Sequence, residues 1–429
     1  MKKVVWISWI ITSLLGAESY RAVIHNLNRS LKLQSAQAMQ QAASALADAE
    51  SGRALPTLDA SIRGVHLRTQ PMFRGLPAPL PPAIPMGGKN RVEAALTLRY
   101  PLFSGFAIGA SIDKARLRRE QAALRVTDLR RNLALGATRL YAAAVALRHT
   151  EAAQSEARHA IAQAYTKAKG MRDAGLIDEA SLSTIEAQAY EMDAQITRTR
   201  TQYRQTLARL GQLTRRDLRS VDAHSFALPN PSQKKILSTA LHSRADLVAL
   251  RKSAQMSQQD IRLAKSTFMP QVGLEAALKH EGETLGSLGD TQTDRSYVAI
   301  GATWNLFNGG SDTARLEAAR CKALAAQSDV REYRAVIRME IGNAFEELRA
   351  LRAQYRAFKK ARVARTASLK KIEGKFDHQL ASADELSRAI ADLAAARAAL
   401  AAQGATIEAQ KATLWLMAGW GTFRRAVRR

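Results

Sequence analysis

The sequence predicts a mainly helical chain with a smaller β part, in which long coiled-coil helical hairpins are joined to four amphipathic strands. Three observations predict it. One short pattern occurs once in each half, as YPLFSG at 100–105 and WNLFNG at 304–309. The residues before each copy alternate with a period of two, and those after it recur with a period of seven.

The likeness of the halves extends without a gap at a fixed separation of 204 positions. Ala95 meets Ala299, Ala115-Arg116 meets Ala319-Arg320, Val126 meets Val330, and Ala146-Leu147-Arg148 meets Ala350-Leu351-Arg352. Farther on, Lys167 meets Lys371, Gly170 meets Gly374, Asp173 meets Asp377, Leu176 meets Leu380, and Leu182-Ser183 meets Leu386-Ser387. Glycines and aromatics fall into register along with the alanines, so shared composition does not account for the match. The chain is a tandem duplication.

The 429 residues are 46% hydrophobic but only 6% aromatic, with a formal charge of +26. Richness in Ala, Leu, Arg, Gln and Glu points to long helices rather than several compact domains. The start, MKKVVWISWIITSLLGAES, has two lysines, an apolar run from Val4 to Leu15, and small residues at Gly16, Ala17 and Ser19. It reads as a secretory leader over 1–17, cut near Ala17. The alternative is a membrane anchor, for which the run falls short of the roughly twenty apolar residues that span a bilayer. Past it no stretch is apolar enough for a spanning helix, so membrane insertion would fall to strands. Cys321 is the single cysteine, set in a helical pattern, and reads as inert packing without disulfide or Cys-ligated metal.

In chain order, a helix over about 22–52 leads into the first strand pair, and one over about 240–267 leads into the second. The strands alternate apolar and polar residues: Leu58, Ala60 and Ile62; Val92, Ala94, Leu96, Leu98 and Tyr100; Val272, Leu274, Ala276 and Leu278; Val298, Ile300, Ala302 and Trp304. Proline- and glycine-rich turns join them, at Pro71–Asn90 in one pair and Glu281–Thr293 in the other. Each pair is a hairpin, over 56–103 and 270–307. Four strands cannot close a barrel, since the smallest membrane barrels use eight, so other subunits or another surface must complete them.

After each motif the period becomes helical. Val126, Leu133, Leu140 and Leu147 recur every seven residues, answered by Val330, Ile337, Ala344 and Leu351. Leu102, Phe103 and Gly105, with Leu306, Phe307 and Gly309, form the strand-to-helix joints, where a small capping residue and a glycine let the chain change direction. No proline interrupts Ala107–Arg172, so this helix extends about 100 Å at 1.5 Å per residue. Gly170 and Gly175 break it, and Asp178 caps a returning helix over about 178–213; in the second copy Gly374 breaks the helix, and Ser382 or Asp384 caps a return over about 383–418. Residues 214–239 remain as a linker and 419–429 as a basic tail.

This arrangement resembles the TolC-like outer-membrane efflux proteins, almost from end to end of the mature chain: Pro56 and Pro270 before the strands, the LF-S/N-G joints, the long helices, the Gly-Leu turn and the duplication of the whole. The resemblance implies that three protomers each give four strands to a twelve-stranded outer-membrane barrel, and that their helices form a tunnel through the periplasm. It implies a passive exit duct in a tripartite efflux or type I secretion system of a Gram-negative cell. Its partners would be a homotrimer, outer-membrane lipid, a periplasmic adaptor (membrane fusion) protein and an inner-membrane transporter, and its cargo a drug, a metal ion or a secreted protein.

By the same resemblance the periplasmic mouth lies at the helix turns, with Asp173, Asp178, Glu179, Asp377, Asp384, Glu385 and Arg388 as aperture residues. Gly170, Gly175, Leu176, Gly374 and Leu380 would mark the adaptor-docking turns. Glu385 and Arg388, three apart on one helix face, are expected to pair, either as a latch or as an ordinary exposed pair. Arg388 stands where the family often has another carboxylate, and HQLAS replaces the second Gly-Leu turn. No catalytic residue, metal site or cofactor is expected: the histidines lack metal spacing, and no phosphate-binding glycine loop is present. The charge of +26 also suits a basic coiled-coil protein that binds nucleic acid. A leader and four amphipathic strands serve no such protein, so nucleic acid is not expected as a partner.

Overall fold

A computed structural model of the protein describes residues 17–74, 83–85, 88–282, 284 and 294–428. Residues 1–16 of the expected leader, and the loop positions Pro79, Gly286 and Gly289, lie outside them. In chain order the elements are α1 (Tyr20–Asn26), a 3-10 turn (Leu27–Arg29), α2 (Leu31–Gly52), β1 (Thr57–His66), β2 (Met72–Arg74), β3 (Ala83–Pro85), β4 (Asn90–Phe103), α3 (Ala107–Asp173) and α4 (Glu179–Thr214). They continue with α5 (Gln233–Ser243), α6 (Ala245–Ser266), β5 (Gln271–Gly282), β6 (Tyr297–Thr303), α7 (Ser311–Asp377), α8 (Ala383–Met417) and α9 (Trp420–Arg428). The duplication is visible in the bounds: α3 and α7 have 67 residues each, and α2 and α6 have 22 each.

One compact unit comprises Met39–Ala122 and Ala249–Arg331. Its sheet is antiparallel with strand order β1-β4-β5-β6. β2 and β3 form a separate two-stranded ribbon in the first loop, which the reading of four strands did not include. β6 ends at Thr303, opposite Gln271, the first residue of β5. Past that point no neighbouring strand remains, so Leu306 and Phe307 lie beyond the strand, whereas Leu102 and Phe103 lie within β4. Cys321 is exposed. It is therefore not packed, as its helical setting suggested.

The other unit comprises Met1–Ala38, Ala123–Val248 and Glu332–Arg429. Its main core gathers Tyr20, Tyr141, Phe226 and Phe423, with Leu33, Leu133, Leu210 and Leu416. The stripe of seven reaches it: Val126 and Leu133 are buried, and Leu140 packs against the cluster. Along α7, Ile337, Ala344 and Leu351 are buried as well. The stretches read as a linker and a basic tail both contribute to this core. Residues after Thr214 contribute Leu218, Val221, Phe226 and Leu228, and Val221 bridges in parallel to Glu18. The basic tail is α9, whose Phe423 is fully buried while Arg424 and Arg425 face solvent.

The helices expected to enter the strands unbroken are each interrupted. The first breaks at the buried Ser30, which adopts an extended conformation. The second breaks at Arg244, which is only 4% exposed. Arg244 donates to Asp246 at 2.9 Å, Glu340 at 3.1 Å and the Tyr333 hydroxyl at 3.3 Å, and Asp246 also accepts from Arg131 at 3.2 Å. Burial works against the Arg244 charge, yet Asp246, Tyr333 and Glu340 hold its pKa above the ordinary value. An extended residue at the break aims this side chain inward at its partners.

Candidate functional site

The sheet has two chemically distinct faces, set by register. Leu58, Leu98, Ala276 and Val298 form one rung, Ala60, Leu96 and Leu278 the next, and Tyr100, Leu274 and Ile300 a third on the same face. Among the described residues nothing covers that face: Ile62 is 74% exposed, Val298 74% and Ile300 70%. The opposite face carries charge in pairs. Arg99 donates to Asp59 and to Glu275, each at 3.1 Å, and Arg91 to Glu281 at 2.8 Å. Among the described residues both outer strands, β1 and β6, present an unpaired edge. Such a sheet is unfavourable in water, where the apolar face is exposed and the edges invite further pairing, and in lipid, where the edge N–H and C=O groups go unmet.

The joints turn on backbone conformation. Gly105 has φ +59°, and a Cβ there would lie 2.7 Å from the Ser266 carbonyl oxygen and 2.8 Å from the Met269 Cβ. Phe106 follows with φ 69°, its ring edge-on to Phe103 at 5.3 Å, and the Ser104 hydroxyl accepts from the Ile108 N–H at 3.2 Å. In the second copy Gly309 and Gly310 take the two left-handed positions. Gly105→Ala is expected to cost about 1–3 kcal/mol, from strain and the close approach together. Gly309→Ala, with nothing within 4 Å of the added carbon, should cost less. Thermal midpoints that fall equally in both variants would refute the close-packing account.

The far ends of the long helices form the second part of the site. The sequence placed breaks at Gly170 and Gly374, but helix continues through both to Asp173 and Asp377, since a glycine costs a helix only about 1 kcal/mol. The turns are made instead by Gly175, φ 72°, and by Gln379, φ 61°, each in the left-handed conformation. The Leu176 N–H closes on the Met171 carbonyl and the Leu380 N–H on the Lys375 carbonyl, both at 2.8 Å. Sequence reasoning missed Gln379. The fixed separation of 204, carried forward from Gly175, falls on it.

Charge at these turns is locally satisfied. Asp178 caps α4 by accepting from the Ser181 N–H at 2.9 Å, and hydrogen bonds from Ser181 hold its carboxyl below the ordinary range. Arg172 binds Glu179 at 2.9 Å and Asp173 at 2.6 Å, which keeps its guanidinium above its usual value. Lys167 contacts Asp377, tying the end of α3 to that of α7. The expected Glu385–Arg388 pair is not formed. Glu385 occupies the third position of a capping box with Ser382, accepting from the Ser382 N–H at 3.0 Å, while Arg388 pairs with Asp384 at 2.8 Å. The backbone donors at the helix start hold the Glu385 carboxylate, and the residue one full turn before Arg388 is Asp384. Leu176 and Leu380 stand 52% and 74% exposed at the tips. Beneath them Ile161, Leu182, Ile185, Phe376, Leu386 and Ile390 form one buried cluster.

The fold recurs in solved structures. VceC of Vibrio cholerae, an outer membrane protein, is 17% identical, over 93% of this chain and 96% of that one, with a TM-score of 0.77. CusC is 14% identical, over 98% and 95%, at 0.79. The open state of the MtrE outer membrane channel of Neisseria gonorrhoeae is 19% identical, over 94% and 89%, at 0.76. At such identities the likeness establishes the fold. Among curated proteins nothing matches. The outer membrane efflux protein family model matches residues 25–214 and 236–420, which are the two repeats almost in full. A duplicated chain of paired long helices, carrying a sheet with one apolar face and one charge-paired face, therefore belongs to the outer membrane efflux protein family, whose members are channels rather than enzymes, and its place is the outer membrane of a Gram-negative cell.

Proposed function

We propose that three copies join their sheets into one twelve-stranded barrel, continued by a helical tunnel, and that this trimer is a passive exit duct. The carrying observation is the four-stranded sheet with open edges at β1 and β6 and an exposed apolar face. Pairing β6 of one copy with β1 of the next removes every edge. The apolar rungs then meet lipid, and the Asp59–Arg99–Glu275 row lines the interior, as alternation in membrane barrels requires. From Val92 to Tyr100 the apolar positions of β4 cover a stretch matching the 9–11 residues of a spanning strand. Native mass spectrometry of the detergent-purified protein should give a trimer. A monomer or dimer at high protein concentration would refute the closure.

The duct has no energy source of its own, so its substrates would be delivered by an inner-membrane transporter through a periplasmic adaptor that docks at the exposed Leu176 and Leu380 tips. The periplasmic mouth would lie at the same turns. Three Asp384–Arg388 pairs around the symmetry axis would hold neighbouring carboxylates below mutual repulsion. Arg388→Glu leaves Asp384 unpaired and adds a third carboxylate beside Asp384 and Glu385. It is expected to raise the resting conductance of the protein in planar bilayers severalfold. Unchanged conductance in a variant that still forms trimers would reduce Arg388 to a surface charge and turn attention to Arg172 in the first-repeat turn.

A further inference from the structure

A cavity of about 460 Å³ opens where α1, α2, α3 and α9 meet. Its polar lining is dominated by Arg21 and His25 from α1, Arg130 from α3, and Arg424 and Arg428 from α9, with Trp420 as an aromatic wall. Neither Asp nor Glu is among the described residues that line it. The convergence is built by spacing: Arg21 and His25 are four apart on one helix, as are Trp420, Arg424 and Arg428 on another, so each set shares a face. The fully buried Phe423 fixes α9 against the core, and Trp420 packs on it at 5.9 Å.

Some arginines elsewhere on the chain carry their own counter-charge. Arg320 and Arg349 on α7 each have a glutamate three residues before them, at 3.2 and 2.7 Å. Among the described residues none of Arg21, Arg130, Arg424 and Arg428 has an ion pair or hydrogen bond, and the Nε of Arg130 is buried without a partner. Four like charges gathered in one concavity repel one another, and a buried unmet donor costs free energy, until an anion enters. The planar guanidinium fork matches the oxygens of phosphate in pairs. Neighbouring charges focus the field at the cavity mouth.

We propose that this cavity is a binding site for a phosphate-bearing anion whose apolar or ring-containing body rests on Trp420. A lipid headgroup and a soluble phosphate ester share that chemistry. The site requires neither the trimer nor the duct, and binding is read on the purified protein without any measurement of conductance.

The test is calorimetric titration of the full-length protein in non-ionic detergent at low ionic strength, with inorganic phosphate, phenyl phosphate and dihexanoyl phosphatidic acid as probes. Both organic phosphates should bind saturably, one per chain, and more tightly than inorganic phosphate. Arg424→Gln with Arg428→Gln, both at exposed positions, should weaken them by about tenfold or more, as the loss of two charge-assisted contacts requires. Lys360→Gln with Arg362→Gln, an equal charge change on the exposed face of α7, should leave them within about twofold. Trp420→Ala should remove the advantage of the organic probes. Tighter binding of phosphatidic acid than of phenyl phosphate assigns the site to a lipid headgroup; the reverse order, or equal affinity, assigns it to a soluble ester. Absence of saturable binding, or equal weakening by the two double variants, overturns the site. Inorganic phosphate binding as tightly as the organic probes overturns the part given to Trp420.

Discussion

Tyr141→Ala is expected to destabilise the protein by about 3–5 kcal/mol, the range for removing a large aromatic from a packed core. Tyr141 is fully buried on α3, with the rings of Tyr20 at 5.2 Å and Phe226 at 5.3 Å. Its hydroxyl lies 2.6 Å from the Asp222 carbonyl, 3.0 Å from the Glu18 carbonyl and 3.0 Å from the Ser225 hydroxyl. One side chain thus fastens the N-terminal segment and the stretch after α4 to the long helix. Tyr141→Phe keeps the ring but leaves those acceptors short of a donor, a loss of about 1–3 kcal/mol. Thermal unfolding followed by circular dichroism should rank the variants wild type, Phe, then Ala. Equal stability of Ala and Phe would mean that the ring contributes nothing to the core.

The same side chain predicts how stability depends on pH. Burial, the dominant effect, pushes the Tyr141 phenol up to about 12, and burial raises that of Tyr20 as well. A group whose pKa is higher folded than unfolded stabilises the fold in full below its unfolded value, about 10 for tyrosine, and that share is lost as pH rises through the folded value. Wild type should therefore weaken between about pH 10 and 12, and Tyr141→Phe should lose less across that window.

Much of this architecture is legible in the sequence, because it is written in local periodicity. The strand alternation around Leu96 and Ile300, the seven-residue stripe through Leu133 and Ile337, and the capping residues Asp178 and Ser382 each depend on neighbours a few positions away. What escaped depends on partners far along the chain. Phe226 lies in a stretch without a period and Phe423 in a helix of only nine residues, and contact with Tyr20, some two and four hundred residues earlier, gives them a core to enter. Arg244 is buried at a helix break because Asp246 and Glu340 meet its charge there, and Glu340 lies 96 positions along the chain. At the turns, the residue types were read but their pairing was not. Glu385 faces two possible partners, and the competition between a cationic side chain and a backbone N–H is decided by cap geometry rather than by spacing. The arginine cavity was hidden for a further reason: a net charge of +26 gives no sign of which few cations converge.

Leu140→Pro is expected to cost about 3 kcal/mol or more, and to kink α3 near its middle. A proline there removes the N–H that bonds the Gly136 carbonyl, one turn back, and drives its ring against that carbonyl. Leu140 also packs against the aromatic core, so the kink would pull Tyr141 from its acceptors and add to the loss. Ala344, the equivalent position in the second repeat, is buried on α7, and its carbonyl already accepts from Gln410 at 2.9 Å. Ala344→Pro should therefore be as damaging as Leu140→Pro, because each long helix would form its own part of the tunnel wall and neither copy could stand in for the other. Ala78→Pro, between Pro77 and Pro79, is the control and should assemble normally. Trimer yield on native gels, with unfolding midpoints, reads all three. If Ala344→Pro assembles like wild type while Leu140→Pro does not, the two long helices carry unequal shares of the fold, and the equivalence inferred from the duplication fails.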